Sequence, residues 1–387
     1  MSAVGAAGGH REQVAWPALV IAIPLAFAIV GMALRYVAFA TLGEARGFEA
    51  FASAICNWDC GWYVGIAETG YDGFPVPTRG NVGNWAFFPL YPMLVGLLLP
   101  IAPLSTIALA TIVSTLVSIA ACLVAWPLLD RRLAAYMVYC AFVLAGPFSI
   151  YFTTFLSEPL FLLLTSAVFL ALKERRYLAA GVLSALLSAT RIVGVFVVFA
   201  TVVTMLQDHL ERGRGLWSFP RTLLARPDLL LAIFISPLGL FAYMLFLHLT
   251  MGDGLAFSHV QRAFGRMFAN PLLFLWDGFS SLPREGLWPT PRQMSAAAGL
   301  VGLVLTAVLV FRRQYGAAMF CLICVVIPIA GGLFSLVRYM AGLAPIVLAL
   351  ATLCSVSRTT AIAATTLLLV SCPFVTLAWI GDHLALV

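Results

Sequence analysis

The amino-acid sequence predicts an all-α polytopic membrane protein. Of its 387 residues, 62% are hydrophobic and only 10% are charged, and the mean hydropathy is +1.02. Charged residues make up about 25% of a typical soluble domain. Apolar runs of the ~20 residues that a helix needs to cross a bilayer recur along the chain, whereas a membrane β-barrel would show alternating strands of about ten residues. Residues 1–387 are therefore predicted to form a single membrane domain.

The apolar runs are predicted to be helices. They lie at 15–40, 104–128, 133–152, 228–250, 295–311, 316–335, 339–355 and 360–380, with a shorter run at 158–172. One further run, 177–206, would be ~45 Å long as a single helix, yet basic residues flank both of its ends. We interpret it as two short helices that turn at Arg191, which gives about eleven crossings, whereas a single tilted helix would give ten.

Most basic residues lie in connectors on one side of the predicted helices. They are Arg131, Arg132, Lys173, Arg175, Arg176, Arg212, Arg214, Arg221, Arg226, Arg312, Arg313 and Arg358. By the positive-inside rule these connectors are cytoplasmic, which places the two long polar segments, 42–90 and 251–294, on the extracytoplasmic face. The first apolar run is too long for a signal peptide and is expected to remain as an anchor. A single Lys against 21 Arg favours a bacterial inner (plasma) membrane.

Neither the net charge nor the cysteines indicate a nucleic-acid partner or a fold built on disulfides. The charge is +6, but the basic residues are spread in pairs, so membrane lipids and no nucleic acid are predicted as partners. Cys56 and Cys60 are the only cysteine pair in an outer loop, and they either form a disulfide, if the loop geometry permits, or remain thiols. No cofactor is predicted, since no cluster has metal-ligand spacing, although carboxylates with a substrate phosphate can hold a divalent cation.

The stretch "CNWDCGWYVGIAETGY", Cys56 to Tyr71, places an acidic residue between tryptophans. Trp58, Trp62 and Ile66 recur every four residues, as on one face of an amphipathic helix at the membrane interface, and Tyr63 lies beside them. Asp59 stands at the N-terminal edge of this helix. A capping role explains that position, because a carboxylate there accepts hydrogen bonds from free N–H groups; a catalytic role requires further polar groups nearby.

Further polar groups are predicted on the same face. "SEP", Ser157 to Pro159, is typical of a helix start, which favours a structural role for Glu158. Arg191 lies inside an apolar run, where an unpaired guanidinium is costly, and it is expected to face a cavity, a carboxylate or an anion.

The second outer loop and a late helix boundary add cations to this face. "FSHVQRAFGR", Phe257 to Arg266, contains His259, Gln261, Arg262 and Arg266, and "LVRYM" contains Arg338. Arginines can clamp phosphate oxygens through their planar guanidinium, and a nearby carboxylate can accept a proton from a hydroxyl. The combination suits a phosphate-bearing lipid substrate.

These segments carry a resemblance to a known family. "WDCGWYVGIAETGY", "FFPLYP", "SEPLF", "ATR" and "QRAFGR", in this order over roughly residues 57 to 345, resemble the membrane mannosyltransferases that add the second mannose of glycosylphosphatidylinositol anchors, and their bacterial relatives. That family belongs to the C-type (GT-C) glycosyltransferases. The resemblance implies a GT-C-like bundle, here of about ten to eleven transmembrane helices with amphipathic helices in the first extracytoplasmic loop.

The resemblance also implies an activity, that of an inverting glycosyltransferase with a polyprenyl-phosphate sugar as donor. Asp59 alone occupies the position of the catalytic aspartate of that family. We expect the donor phosphate to contact Arg338, Arg262 and Arg191, and the acceptor or the sugar to contact Trp58, Trp62, Tyr63, Glu158, His259 and Gln261.

The acceptor and a rival function stay open at this stage. The outer loops are short, and a bacterium that makes no such anchor needs another acceptor, namely a lipid, a glycan or a protein. The rival is a membrane transporter or a flippase for lipid-linked sugars, which would be expected to have paired broken helices and ionisable groups near the bilayer midplane.

Overall fold

The prediction of an all-α polytopic membrane protein is confirmed. The computed structural model describes residues 9–43, 46–75, 80–266, 268–281, 290–333 and 335–381, and these residues form nineteen α-helices and no β-strand. The helices are α1 (Gly9–Ala40), α2 (Phe48–Ile55), α3 (Cys60–Thr69), α4 (Leu90–Leu98), α5 (Thr106–Leu128), α6 (Leu133–Ala145), α7 (Glu158–Lys173), α8 (Tyr177–Ser188), α9 (Val197–Glu211), α10 (Phe219–Leu224), α11 (Pro227–Ile235), α12 (Leu238–Met251), α13 (Ala256–His259), α14 (Pro271–Ser280), α15 (Pro291–Phe311), α16 (Tyr315–Ala330), α17 (Leu336–Gly342), α18 (Ala344–Cys354) and α19 (Arg358–Ile380).

Several of these helices are long and apolar enough to cross a bilayer. Within the described ranges, five stretches meet that condition: Ala18–Ala40, Thr106–Leu128, Ile192–Glu211, Pro291–Phe311 and Arg358–Ile380. The number rises to seven if each of two bent pairs, α11 with α12 and α17 with α18, counts as one span. Four shorter apolar helices accompany them. The protein is integral to a membrane, and the count of ten or eleven crossings stays a prediction.

Three predicted helices are interrupted in the structure. The run 133–152 ends as an α-helix at Ala145 and continues as a 3₁₀ helix, Pro147–Phe152. The run 228–250 bends by 41° between α11 and α12, and the run 339–355 bends by 77° between α17 and α18. A proline stands at or just after each interruption. Because proline has no N–H to donate to the preceding turn, an α-helix does not continue regularly through it.

Residues 177–206 fold as two helices, as predicted. Helix α8 ends at Ser188, Arg191 is extended (φ −156°, ψ 148°), and the chain resumes as a 3₁₀ turn before α9. At the other end of the pair, Tyr177 donates a hydrogen bond to Asp208, and Arg175 forms an ion pair with the same carboxylate at 3.1 Å. The start of α8 and the end of α9 are therefore neighbours, and Arg191 lies at the tip of a helical hairpin.

The loops between α1 and α4 and between α12 and α15 are called the first and second outer loops after the side on which they are predicted to lie. The first outer loop carries two short helices, α2 and α3. Each buries one face: α2 buries Phe51 and Ile55, and α3 buries Tyr63 and Ile66. Cys56 and Cys60 form a disulfide across the turn between the helices, with their Cα atoms 5.3 Å apart. The loop is thus packed onto the helical bundle, and its second helix begins directly after Asp59.

Candidate functional site: a charged cavity between the outer loops

A cavity of about 440 Å³ lies where the two outer loops meet α16 and α17. Its polar lining includes Asp59, Arg191, Arg266 and Arg338. Its remaining lining is largely aromatic and aliphatic, and it includes Phe87, Phe88, Phe161, Phe257, Phe264, Ile327 and Leu343. Charged groups and apolar side chains therefore share one cavity.

Asp59 occupies the N-cap position of α3 without capping it. Its side chain accepts no hydrogen bond from the backbone of that helix. Instead, its Oδ2 atom accepts a 2.6 Å hydrogen bond from Nη2 of Arg338, and the side chain is 22% exposed, on the cavity surface. The Oδ1 atom has no hydrogen-bond donor among the described residues. The capping interpretation is therefore not realised, and one carboxylate oxygen remains available to a ligand.

Arg338 lies between two carboxylates. It projects from α17, just before the 77° bend, and its side chain is 5% exposed. Besides Asp59, its Nε atom lies 2.9 Å from Oε1 of Glu158, at an angle that makes this an ion contact and not a hydrogen bond. Nε and Nη1 have no hydrogen-bond partner in the described part of the chain. The guanidinium therefore contacts two acids that are far apart in sequence.

Glu158 is the first residue of α7, and its side chain is buried. Its Oε1 atom also accepts a 2.6 Å hydrogen bond from Nη1 of Arg191, at the hairpin tip. The helix-start interpretation of "SEP" is thus incomplete, because this carboxylate binds two guanidinium groups. Glu158 is not part of the cavity lining. The carboxylate therefore holds Arg191 and Arg338 in place from outside the cavity, a position that does not suit direct contact with a sugar.

Arg266 and Tyr339 complete the charged group. Nη2 of Arg266 donates a 2.8 Å hydrogen bond to the Tyr339 hydroxyl, and the guanidinium carbon of Arg191 lies 4.3 Å from the centre of the Tyr339 ring. The electrostatic influence of Tyr339 raises the pKa of Arg266 further above its usual range. Arg191 and Arg266 therefore both contact one aromatic side chain at the cavity.

Arg262, predicted to contact phosphate, lies elsewhere. It is exposed at the end of a 3₁₀ helix, Val260–Arg262, and is not part of the cavity lining. Gly265 then adopts a left-handed conformation (φ 73°), and the backbone N–H of Arg266 bonds to the Gln261 carbonyl. This turn brings Arg266, and not Arg262, into the cavity. The "QRAFGR" motif contained the signal, but the choice between its arginines depends on the turn.

The predicted sugar-binding residues divide into two groups. Trp58, Tyr63 and Gln261 line the cavity, and Trp58 is 48% exposed there. Trp62 is absent from that lining and stacks on Phe87, with ring centres 5.8 Å apart. His259 is exposed and pairs with Asp253 at 2.8 Å. The structure thus brings the first group to Asp59, while Trp62 packs within the loop and His259 remains on its surface.

The charges of the site sum to a small positive value. Three arginines, Arg191, Arg266 and Arg338, face two carboxylates, Asp59 and Glu158, which gives +3 − 2 = +1. A monoanion would neutralise this group. Within the described residues, no three His, Cys, Asp or Glu side chains come together as a metal site. This does not test whether a carboxylate and a substrate phosphate hold a cation jointly.

The fold and this cavity define an integral membrane protein with a cationic, aromatic-lined site, in which Asp59 is the one carboxylate among the described lining residues. A scan against models of known families and a search of curated proteins found no match to the chain.

Proposed function

We propose that the protein is an inverting GT-C glycosyltransferase that moves a hexose, with mannose as the first sugar to test, from a polyprenyl-phosphate donor to an extracytoplasmic acceptor. The observation that carries the proposal is the Asp59 carboxylate. It lies on the wall of a cavity, one oxygen is held by Arg338, and the other has no donor among the described residues. This arrangement suits a base that accepts a proton from an incoming hydroxyl.

The reaction follows from that position. The acceptor hydroxyl oxygen attacks the anomeric carbon while its proton passes to Asp59. The bond between the anomeric carbon and the phosphate oxygen breaks, and the lipid phosphate leaves with the electron pair. Attack from the face opposite the leaving group inverts the anomeric centre. Because phosphate is already a stable anion, orientation and charge stabilisation are the main tasks of the protein.

Arg266 and Arg191 are the phosphate-contact residues in this proposal. Both line the cavity, and both contact Tyr339. Arg338, the first choice from the sequence, is already engaged by two carboxylates, and a phosphate would have to compete with them. We therefore assign Arg338 to positioning Asp59. The phosphate of the donor is a diester of the polyprenol and the sugar and carries one negative charge, which matches the +1 of the site.

The lipid chain and the membrane face are further parts of the proposal. The apolar wall of the cavity includes Ile192, Ile327 and Leu343, and Ile192 is 42% exposed at the hairpin tip, so the hydrocarbon chain can remain in apolar surroundings. The Cys56–Cys60 disulfide beside Asp59 favours an extracytoplasmic active site, because disulfides persist in oxidising compartments.

A transporter or flippase is the second candidate. The observation in its favour is the pair of sharply bent helical segments, since discontinuous helices are common at transporter binding sites. A flippase would use the same cavity to carry a lipid-linked sugar across the bilayer, and it would not break the bond between sugar and phosphate.

Transfer of label distinguishes the two candidates. Membranes that supply native acceptors receive radiolabelled polyprenyl-phosphate mannose, or the glucose analogue, with wild type, Asp59→Asn or Asp277→Asn at equal folded abundance. Asp277 is an exposed acid paired with Arg292, which makes it a matched control. We expect transfer with wild type and the control, and a loss on the order of 100-fold or more with Asp59→Asn. Equal transfer by Asp59→Asn excludes the base role, and movement of intact donor without transfer favours the flippase.

A further inference from the structure

We propose that the Cys56–Cys60 disulfide is a positioning device for Asp59, which makes glycosyl transfer dependent on the oxidised state of this pair. The disulfide closes a five-residue segment, Cys56 to Cys60, whose fourth residue is Asp59. The catalytic part of this inference rests on the function proposed above. Its structural part, the effect of the disulfide on the contact between Asp59 and Arg338, does not.

The backbone between the two cysteines is constrained at Trp58. Trp58 adopts a left-handed conformation (φ 58°), which bulky side chains rarely adopt without an external constraint. Asp59 follows in a helical conformation and leads directly into α3. A left-handed residue immediately before Asp59 determines where its carboxylate points. The disulfide spans this turn and removes the freedom to relax out of it.

Hydrogen bonds anchor the cross-link to the helical bundle. Ahead of Cys56, the Ile55 carbonyl accepts hydrogen bonds from the Trp379 indole and the Thr154 hydroxyl, at 2.9 and 3.1 Å. The side-chain amide of Asn57 donates a 3.1 Å hydrogen bond to the backbone carbonyl of Trp379. These contacts fix the Cys56 end to α19 and to the middle of the bundle. Through the disulfide these contacts also restrain Cys60, which follows Asp59 in the chain.

The Asp59 carboxylate is held at its other end by Arg338. The hydrogen bond to Arg338 is the one hydrogen bond that the Asp59 side chain forms with the described residues, and no backbone cap supplements it. A shift of the turn would therefore be opposed by this ion pair alone. With the disulfide in place, the turn and the ion pair hold the carboxylate together. Loss of the cross-link is expected to misplace the base without emptying the cavity of its arginines.

The structural part is tested by a double-mutant cycle that requires no substrate. The proteins are wild type, Asp59→Asn, Cys56→Ser/Cys60→Ser and the triple variant, and the measurement is thermal unfolding in detergent micelles. Asp59→Asn is expected to lower the melting temperature of both the oxidised and the disulfide-free protein. If the disulfide positions Asp59 for Arg338, the decrease in the disulfide-free protein is roughly half, or less, of the decrease in the oxidised protein. Additive shifts overturn the positioning role.

The catalytic part is tested by kinetics. We expect Cys56→Ser/Cys60→Ser to lower kcat on the order of tenfold or more while the donor KM stays within about twofold, because orientation is lost and phosphate binding is not. A small dithiol, which is oxidised to a cyclic disulfide as it reduces Cys56 and Cys60 to thiols, should lower wild-type kcat to the level of the variant and leave the variant unchanged.

Cys354→Ser is the control, because Cys354 is a partly exposed free cysteine at the end of α18, and it should behave as wild type. An unchanged kcat in the disulfide-free protein, or an equal effect of the dithiol on that protein, overturns the catalytic part. If wild type transfers no sugar at all, the proposed glycosyltransferase fails, and the unfolding cycle still decides whether the disulfide positions Asp59.

Discussion

Arg338 and Asp59 are 279 positions apart in the sequence, yet Nη2 of the arginine lies 2.6 Å from Oδ2 of the aspartate. The same guanidinium lies 2.9 Å from Glu158, at the start of α7. One cation thus joins the first outer loop, α7 and α17. The side chains of Arg338 and Glu158 are almost fully buried. The charges of Arg338, Glu158 and Asp59 therefore depend on one another for stabilisation.

Replacing Arg338 with Gln should destabilise the protein strongly. The change leaves the buried Glu158 with one cation and Asp59 with none, and breaking a buried pair in this way costs ~3–5 kcal/mol. Unfolding in detergent micelles measures the loss. Adding Glu158→Gln should recover part of it, because the uncompensated acid is then absent. Arg292→Gln, which breaks an exposed pair with Asp277, is the control and should change stability by less than ~1 kcal/mol; an equal loss in the two arginine variants contradicts the prediction.

Replacing Glu158 with Gln should affect turnover more than donor binding. The carboxylate pairs with Arg191 and Arg338 and does not line the cavity. Its loss removes a competitor of the donor phosphate for Arg191 and, through Arg338, displaces Asp59. We expect kcat to fall on the order of tenfold while the donor KM does not rise. The measurement is initial-rate kinetics with labelled donor, on protein whose folding has been checked. A raised KM at unchanged kcat would instead indicate that Glu158 binds substrate directly.

Long-range patterning made the membrane architecture predictable. The apolar runs and the basic connectors are properties of whole segments, so they indicated helices, and the basic flanks of 177–206 indicated the hairpin whose ends meet at Tyr177 and Asp208. Asp59 and Arg338 were also recognisable as site residues, because charged groups beside apolar runs require partners. Their pairing with each other and with Glu158 was not predictable, since it depends on how three distant elements pack.

Local backbone geometry limited the remaining predictions. Arg262 and Arg266 are equivalent as residue types, and only the left-handed turn at Gly265 decides which of them enters the cavity. The helix break at Leu343 follows from a proline, but prolines also occur inside helices of this protein, as at Pro328 in α16. Residue type alone therefore did not decide where a helix ends.

The hairpin at Arg191 predicts the location of two surface positions. Gly215, after α9, should be cytoplasmic, and Asn270, before α14, should be extracytoplasmic, because one long helix lies between the two loops as the bent pair α11 and α12. Reporter domains inserted at each position and assayed on intact and permeabilised cells measure this. Fusions at 192 provide a further check and should resemble those at 270. Cytoplasmic signals at both 215 and 270 would contradict the proposed orientation.

Gly31 marks a close approach of α1 to α6. A Cβ atom at this position would lie 2.0 Å from the carbonyl oxygen of Leu144, an atom of the backbone that cannot move aside alone. Gly31→Ala should therefore destabilise the protein by ~1–3 kcal/mol, the usual cost of overpacking. Gly65→Ala is the matched control, because a Cβ there meets no atom within 4 Å, and it should be neutral or stabilising by up to ~1 kcal/mol. Thermal unfolding of the two variants compares them, and similar melting temperatures would contradict the close approach.

Arg266 and Arg262 offer a direct test of the phosphate site, because they lie four residues apart on one loop and only Arg266 lines the cavity. Arg266→Ala should raise the donor KM on the order of tenfold or more, since a charged contact with the phosphate is lost. Arg266→Lys should give an intermediate value, because lysine keeps the charge and loses the planar guanidinium that contacts two oxygens at once.

Arg262→Ala removes the same charge from the exposed side of the loop and should leave the donor KM within about twofold of wild type. Initial rates at several donor concentrations and two ionic strengths separate a local contact from a general loss of positive charge. Salt strongly screens the general effect of charge on donor binding and screens a direct contact much less. A larger effect of Arg262→Ala than of Arg266→Ala would move the donor phosphate out of the cavity and remove the main support for the assignment of Arg191 and Arg266.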